Sequence, residues 1–240
     1  MANVGNRFSR GVVFGASGGI GKALCEELER RGTRVVAGSR AGITKGFDSF
    51  AFDLDDEDSI AEVAETLRDD PPDCVIVATG VLTLPDGTGP ERSLKQVDGA
   101  AMARVLYLNT IGPALIAKYV LPLLPRSEPC AFAALSARVG SIGDNRLGGW
   151  HSYRASKAAL NMLIRNWAIE FGRTHKQAVI CGLHPGTVAS ALSEPFQGNV
   201  PDGKLFSPER SASALIDVLS RLTPKDSGGV FDWAGERLPE

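Results

Sequence analysis

In Tyr153-Arg154-Ala155-Ser156-Lys157 a phenol and an amine stand four residues apart. At a helix start that spacing puts both side chains on one face. An ammonium beside a phenol stabilises phenolate and draws the tyrosine pKa toward neutrality, as a proton donor to a carbonyl oxygen requires. The same spacing also suits a packed, half-exposed helix edge, so the pair needs a reaction partner to have chemical meaning.

That partner is suggested near the start of the chain. Gly15-Ala16-Ser17-Gly18-Gly19-Ile20-Gly21 follows an apolar run and opens a helical pattern. Backbone without side chains at Gly15, Gly19 and Gly21 lets N–H groups approach a pyrophosphate, with Ser17 and Ile20 alongside it. The next apolar run ends Ala37-Gly38-Ser39-Arg40. A carboxylate usually stands there when the ribose hydroxyls of NAD are bound. Arg40 can instead pair with a 2′-phosphate and Ser39 can donate a hydrogen bond, which predicts NADP(H) in preference to NAD(H).

The elements that must hold these residues alternate. Gly11 to Gly15 reads as a strand, Gly21 to Arg31 as a helix, Arg34 to Gly38 and Ser49 to Leu54 as strands, and Ser59 to Leu67 as a helix. Cys74 to Ala78 and Cys130 to Ser136 are apolar strands on either side of a long helical segment, Ala100 to Leu121, interrupted at Gly112-Pro113. Ser156 to Phe171 is amphipathic, Ala178 to Leu183 strand-like, and Pro208 to Leu222 a last helix capped by Ser207 before a short strand at Val230 and Phe231. The pattern predicts one α/β domain over residues 1–240, a doubly wound Rossmann-type parallel sheet flanked by helices. The polar stretch Ser193 to Phe206 reads as a flap over substrate.

Composition narrows the function. With 26 Lys and Arg against 28 Asp and Glu, the net charge is −2 and no basic block exists to neutralise nucleic acid. Cys25, Cys74, Cys130 and Cys181 lie far apart in apolar surroundings, unlike zinc ligands or a redox dithiol, so no metal is expected. The opening MANVGNRFSR has no apolar core of a signal peptide, and the apolar stretches read as shorter than a membrane span. A cytoplasmic protein with a small-molecule partner is expected, its oligomeric state open.

Taken together, the glycine motif, the Tyr153 and Lys157 spacing and Pro185-Gly186 resemble the short-chain dehydrogenase/reductase family over nearly the whole chain. Gly140-Ser141-Ile142, Asp144-Asn145, Gly148-Gly149 and Tyr153 through Asn161 are similar to a subgroup of C-factor-like and carbonyl-reductase-like members. The resemblance implies that Tyr153 is the acid/base and that Lys157 tunes it and binds the nicotinamide ribose. It implies that Asn109 holds a water for proton relay, although an asparagine there can also cap or kink a helix. It further implies adenine contacts at Asp53 and Leu54, adenosine-ribose contacts at Ala78 and Gly80, and a nicotinamide turn at Pro185, Gly186, Val188 and Ser190. His184, within that turn, reads as structural, and Trp150, Phe196 and Trp233 as residues that either pack or touch substrate.

Two departures from the family pattern stand out. Where a Ser-Ser pair normally precedes the glycine, the sequence has Ser136-Ala137 before Gly140. The substrate-orienting hydroxyl then falls to Ser136, with Ser141 as the alternative, because neighbouring strand residues face opposite ways. Val77-Ala78-Thr79-Gly80 also lacks the two asparagines usual in the family. The implied activity is NADP(H)-dependent reduction of a ketone or aldehyde to an alcohol; the alternative is a C-factor-like NADP(H)-binding signalling protein with little turnover.

Overall fold

The computed structural model describes residues 7–199 and 203–239. Its strands are β1 (Arg10–Phe14), β2 (Arg34–Ser39), β3 (Asp48–Ala51), β4 (Cys74–Val77), β5 (Cys130–Leu135), β6 (Ala178–His184), the two-residue pieces β7 (Thr187–Val188) and β8 (Leu205–Phe206), and β9 (Val230–Asp232). Seven of them form one sheet in the order β3-β2-β1-β4-β5-β6-β9, parallel throughout, and β7 pairs separately with β8. The helices are α1 (Gly19–Arg30), α2 (Glu57–Leu67), α3 (Gly99–Leu106), α4 (Gly112–Val120), α5 (His151–Phe171) and α6 (Pro208–Arg221).

Every residue of β4 and β5 is buried, as expected of parallel strands covered on both faces. Alternation then sorts the side chains. Val13, Ile76 and Cys181 meet Leu24 and Leu28 of α1 and Leu215 and Leu219 of α6. On the other face Val12, Val75 and Phe132 meet Ile60 of α2, Ile116 of α4, and Leu160 and Ile164 of α5. Each such side chain contributes about 1.5–3 kcal/mol by leaving water. The chain leaves β1 toward β2 on one side and returns to β4 on the other, so the crevice at their carboxyl ends is where an open α/β sheet binds ligand.

Three elements differ from the sequence reading. The third strand stops at Ala51 rather than Leu54, because Asp53 accepts from the Asp55 N–H and turns the chain toward α2. The long helix does not break at Gly112-Pro113. Instead a π-turn, Tyr107–Ile111, joins α3 to α4, and Leu121–Leu123 adds a 3₁₀ turn. By length and mean hydropathy, 1.3 over its most apolar 18 residues, the run Gly99–Leu123 is long enough to cross a bilayer, contrary to the sequence reading. In the fold it packs against α2 and α5, with 39% of that window buried. The helix expected from Ser156 begins at His151, so Tyr153 and Lys157 share its first turns. Of the expected flap, 193–199 and 203–206 form a 3₁₀ turn at Glu194–Asn199 and strand β8, while 200–202 lie outside the described residues.

Candidate active site

The glycine turn sits at the carboxyl end of β1. A side chain at Gly21 would lie 2.2 Å from the Gly15 carbonyl oxygen, and one at Gly15, where φ is +91°, would lie 3.0 Å from Ala78 and Thr79 backbone. The turn therefore closes only with glycine at both places. Gly18 caps α1 without a side-chain acceptor, so the first-turn N–H groups of α1 point outward without internal partners. Beside them opens a cavity of about 250 Å³ bordered by Gly15, Ser17, Arg40, Asp53, Leu54 and Gly80, with Ser39 and Ala78 also in its wall.

This cavity fits the adenosine end of a dinucleotide. The Ser39 hydroxyl is 1% exposed yet has no hydrogen-bond partner, and the Thr79 hydroxyl in the same wall is also unpartnered. Buried hydroxyls without partners are costly unless a ligand supplies them. Arg40 is exposed at the rim. Arg104 of α3 and Asp55, which the sequence reading did not single out, form a bidentate ion pair there, with Nη2 to Oδ2 at 2.6 Å. Hydrogen bonding to Arg104 holds the Asp55 carboxyl below the usual carboxylate range. No spacing rule joins residues 49 positions apart in sequence.

At the far side of the crevice, Asn109, Lys157 and Gly80 converge. A side chain on Gly80, φ +148°, would stand 3.0 Å from Asn109 Oδ1 and 3.4 Å from Lys157 Nζ. Asn109 is fully buried in the π-turn; its Oδ1 accepts from Val81 N at 2.7 Å and its Nδ2 donates to Val81 O at 2.9 Å and Ser156 Oγ at 3.1 Å. Its side chain thus braces the loop after β4. Lys157 Nζ donates to Leu135 O at 2.9 Å and lies 5.9 Å from the centre of the Tyr153 ring.

The electrostatics differ from the sequence expectation. Burial raises the Tyr153 phenol to about 12 and lowers the Lys157 ammonium to about 8. With no direct bond between the amine and the phenol, loss of hydration outweighs their attraction. The Tyr153 phenol is thus raised where the sequence reading expected Lys157 to lower it.

Neither serine proposed from sequence offers a free donor. Ser136 borders the same cavity as Tyr153, but its hydroxyl donates to Asn161 Oδ1 at 2.6 Å. Having one O–H, Ser136 presents only lone pairs in this arrangement. Ser141 donates to Pro239 O at 2.5 Å and accepts from Asp144 N at 3.1 Å, and it does not border that cavity. Ala137 does border it, presenting a methyl group.

Tyr153 sits where two cavities of about 330 and 350 Å³ meet, both also bordered by Leu82 and Phe196. Trp150 walls the first and packs edge-on against Phe196 at 5.2 Å and Tyr153 at 6.2 Å. Ile20, Pro185, Gly186, Val188 and Ser190 complete that side, and a side chain on Gly19 would come within 3.5 Å of Ser190 Cβ. The glycine turn and the segment after β6 are therefore neighbours. Trp233 instead packs on Phe206 at 4.7 Å. His184 Nδ1 is buried without a partner, and burial drives the ring to about 4, keeping it neutral. Arg138, missed in the sequence, stands beside His184 and donates to Asp232 Oδ2 at 3.1 Å.

Comparison with known proteins agrees with this geometry. The short chain dehydrogenase model matches residues 11–200. A 1-hydroxy-2-glutathionyl-2-methyl-3-butene dehydrogenase of Rhodococcus sp. (strain AD45) is 33% identical over 227 residues, covering 90% of this chain and 93% of that protein. C-signal of Myxococcus xanthus is 34% identical over 147 residues, 61% of this chain and 83% of that protein. The NADPH-bound carbonyl reductase from chicken fatty liver superposes with a TM-score of 0.83 at 26% identity, covering 98% of this chain and all of that one. With a parallel sheet of the right order, a glycine turn at its switch point and a family match over most of its length, the chain belongs to the short-chain dehydrogenase/reductase family of oxidoreductases.

Proposed function

We propose that the protein is an NADP(H)-dependent carbonyl reductase, in which Tyr153 protonates the oxygen of a ketone or aldehyde. The observation that carries this reading is the half-buried phenol of Tyr153 at the junction of the two cavities, with Lys157 Nζ 5.9 Å from its ring centre. The phenol carries its proton at neutral pH, the form that carbonyl reduction consumes, and a bound ribose and the Lys157 ammonium would have to ease its release. The NADPH bound to the chicken carbonyl reductase, and the NADP bound to a short-chain dehydrogenase/reductase of Burkholderia multivorans at 25% identity, support the cofactor.

When bound, the cofactor supplies hydride to the carbonyl carbon. Gly15, Ser17, Gly19, Ile20 and Gly21 receive its pyrophosphate, Asp53, Leu54, Ala78 and Gly80 the adenosine, and Ser39 and Arg40 the 2′-phosphate. Pro185, Gly186, Val188 and Ser190 flank the nicotinamide. Lys157 binds the adjoining ribose and passes protons to Tyr153. By likeness to the family, Asn109, whose side chain is engaged by Val81 and Ser156, would hold a water that resupplies Lys157. Ser136 serves as a donor to substrate only if its hydroxyl leaves Asn161. The reading places the protein in a reducing, cytoplasmic compartment, acting on a small molecule.

Tyr153→Phe is expected to keep NADPH affinity within about twofold and to reduce carbonyl turnover by at least about 10³-fold; unchanged turnover refutes the acid role. Arg40→Ala is expected to weaken NADPH by about tenfold and leave NADH little changed, the cost of one exposed charge-assisted pair, as read by calorimetry.

A second reading, a dinucleotide-binding signalling protein with little turnover, draws on Ala137, on the engaged hydroxyls of Ser136 and Ser141, and on the likeness to C-signal. NADPH binding without oxidation of NADPH across a broad carbonyl panel would favour it.

A further inference from the structure

Among the described residues, Trp150 is the one non-glycine with left-handed backbone, φ 51°. It ends a run of three, after Gly148 at 64° and Gly149 at 63°, and leads directly into α5. Tryptophan gains nothing from that conformation, so its surroundings must impose it.

Those surroundings come mostly from one residue in the loop after β4. The Glu91 main-chain carbonyl accepts from Trp150 N at 2.5 Å. Its carboxylate accepts from Ser152 N at 3.0 Å and from the Ser152 hydroxyl. Arg154 closes the other side, donating to the carbonyls of Gly148 at 3.2 Å and Gly149 at 3.1 Å. Glu91 is 8% exposed. A helix whose own preceding residue is tryptophan has no cap of its own, and α5 borrows one from a residue 61 positions upstream. The next residue in that first turn is Tyr153, whose phenol has no hydrogen-bond partner among the described residues. Its place in the cavity is therefore set by backbone and by the Trp150 ring.

We infer that Glu91 is a positioning residue for this reaction: by capping α5 and clamping the left-handed turn, it fixes where Tyr153 and Trp150 face the substrate. The inference rests on the reading of Tyr153 as the acid. Displacing an acid by about an ångström costs on the order of 100-fold in rate without altering affinity. Glu91 also sets the Trp150 ring, which stands edge-on to the Tyr153 ring at 6.2 Å.

The test compares Glu91→Ala, Glu91→Gln and Ser152→Ala in NADPH-dependent reduction of 4-nitrobenzaldehyde, with Asp226→Ala as a variant that removes a cap at the opposite end of the sheet. Glu91→Ala is expected to lower kcat by about 30-fold or more, with KM and NADPH affinity within about threefold. Glu91→Gln, which keeps an acceptor for Ser152 N, is expected to recover most of that loss. Asp226→Ala should lose comparable thermal stability at unchanged kcat. Independently of turnover, absorbance titration at alkaline pH, with Tyr153→Phe subtracted, should show the Tyr153 phenol ionising at lower pH in Glu91→Ala. A folded Glu91→Ala with kcat within twofold and an unmoved titration overturns the inference; should that variant not fold, the same two readouts in Glu91→Gln and Ser152→Ala decide it. If Tyr153→Phe itself keeps full turnover, the acid assignment fails instead.

Discussion

Lys157 is the residue whose presence is hardest to explain by stability. Burial lowers its ammonium to about 8, against 10.5 in an unfolded chain. Below pH 8 it is charged in both states, and the full cost of burying the charge weighs on the fold. Between about 8 and 10.5 the unfolded chain holds the extra proton, so stability rises with pH across that window. Lys157→Met is therefore expected to stabilise the protein at pH 7 by on the order of 2 kcal/mol, after allowing for the lost bond to the Leu135 carbonyl. That gain should be smaller at pH 9, as urea unfolding at the two values would show, and carbonyl turnover should be lost. A variant that is less stable at pH 7 would mean that the amine is better solvated than its burial indicates. Tyr153, raised to about 12, acts in the opposite sense only between about 10 and 12, outside that comparison.

Among the elements, the β1 turn and α1 form the most exacting unit. At Gly21 even a methyl group would meet the Gly15 carbonyl at 2.2 Å, and backbone cannot rotate aside as a side chain can. Gly21→Ala is expected to cost about 1–3 kcal/mol in stability and at least about tenfold in NADPH affinity, by melting and by calorimetry; intact affinity would show that the turn can relax. This unit was legible in the sequence because its causes are local: an apolar run, glycines, then helical spacing. The alternation that predicts the parallel sheet is local in the same way. The start of α5 was not legible, since its cap comes from Glu91, nor was the orientation of the serines, which depends on Asn161 and Pro239. Gly112-Pro113 was read as an interruption because a proline removes one hydrogen bond; the chain instead enters it through a π-turn, in which Gly112 N donates to the Tyr107 carbonyl and Asn109 packs against Val81 and Ser156, contacts that no spacing reveals. Tyr153 and Lys157 do lie together on α5, the amine 5.9 Å from the ring centre, but their pKa directions depend on burial that no spacing reveals.

For the molecule as a whole, four unpaired cysteines report on opening. Cys25, Cys74, Cys130 and Cys181 are all buried, and desolvation raises each thiol, Cys25 and Cys181 to about 12 and Cys130 to about 11. Reagents that attack thiolate should label them only when the fold opens. If NADPH binds the folded state alone, a concentration 100 times its Kd should slow labelling by about 100-fold, and equal NADH should slow it less. Rates that ignore both nucleotides would argue against the cavity between β1 and β4. The two halves of the crevice also have different histories. The glycine turn, Arg40 and Gly80 precede β5, whereas Asp232, which holds Arg138 at the cavity wall, belongs to β9, the last strand in chain order and an edge of the sheet. In chain order the side of the crevice around Gly15, Arg40 and Gly80 comes first and the wall across from it, Trp150 and Pro185 through Ser190, comes after β5, so a chain cut there would keep the glycine turn and lose the cavity that Tyr153 borders.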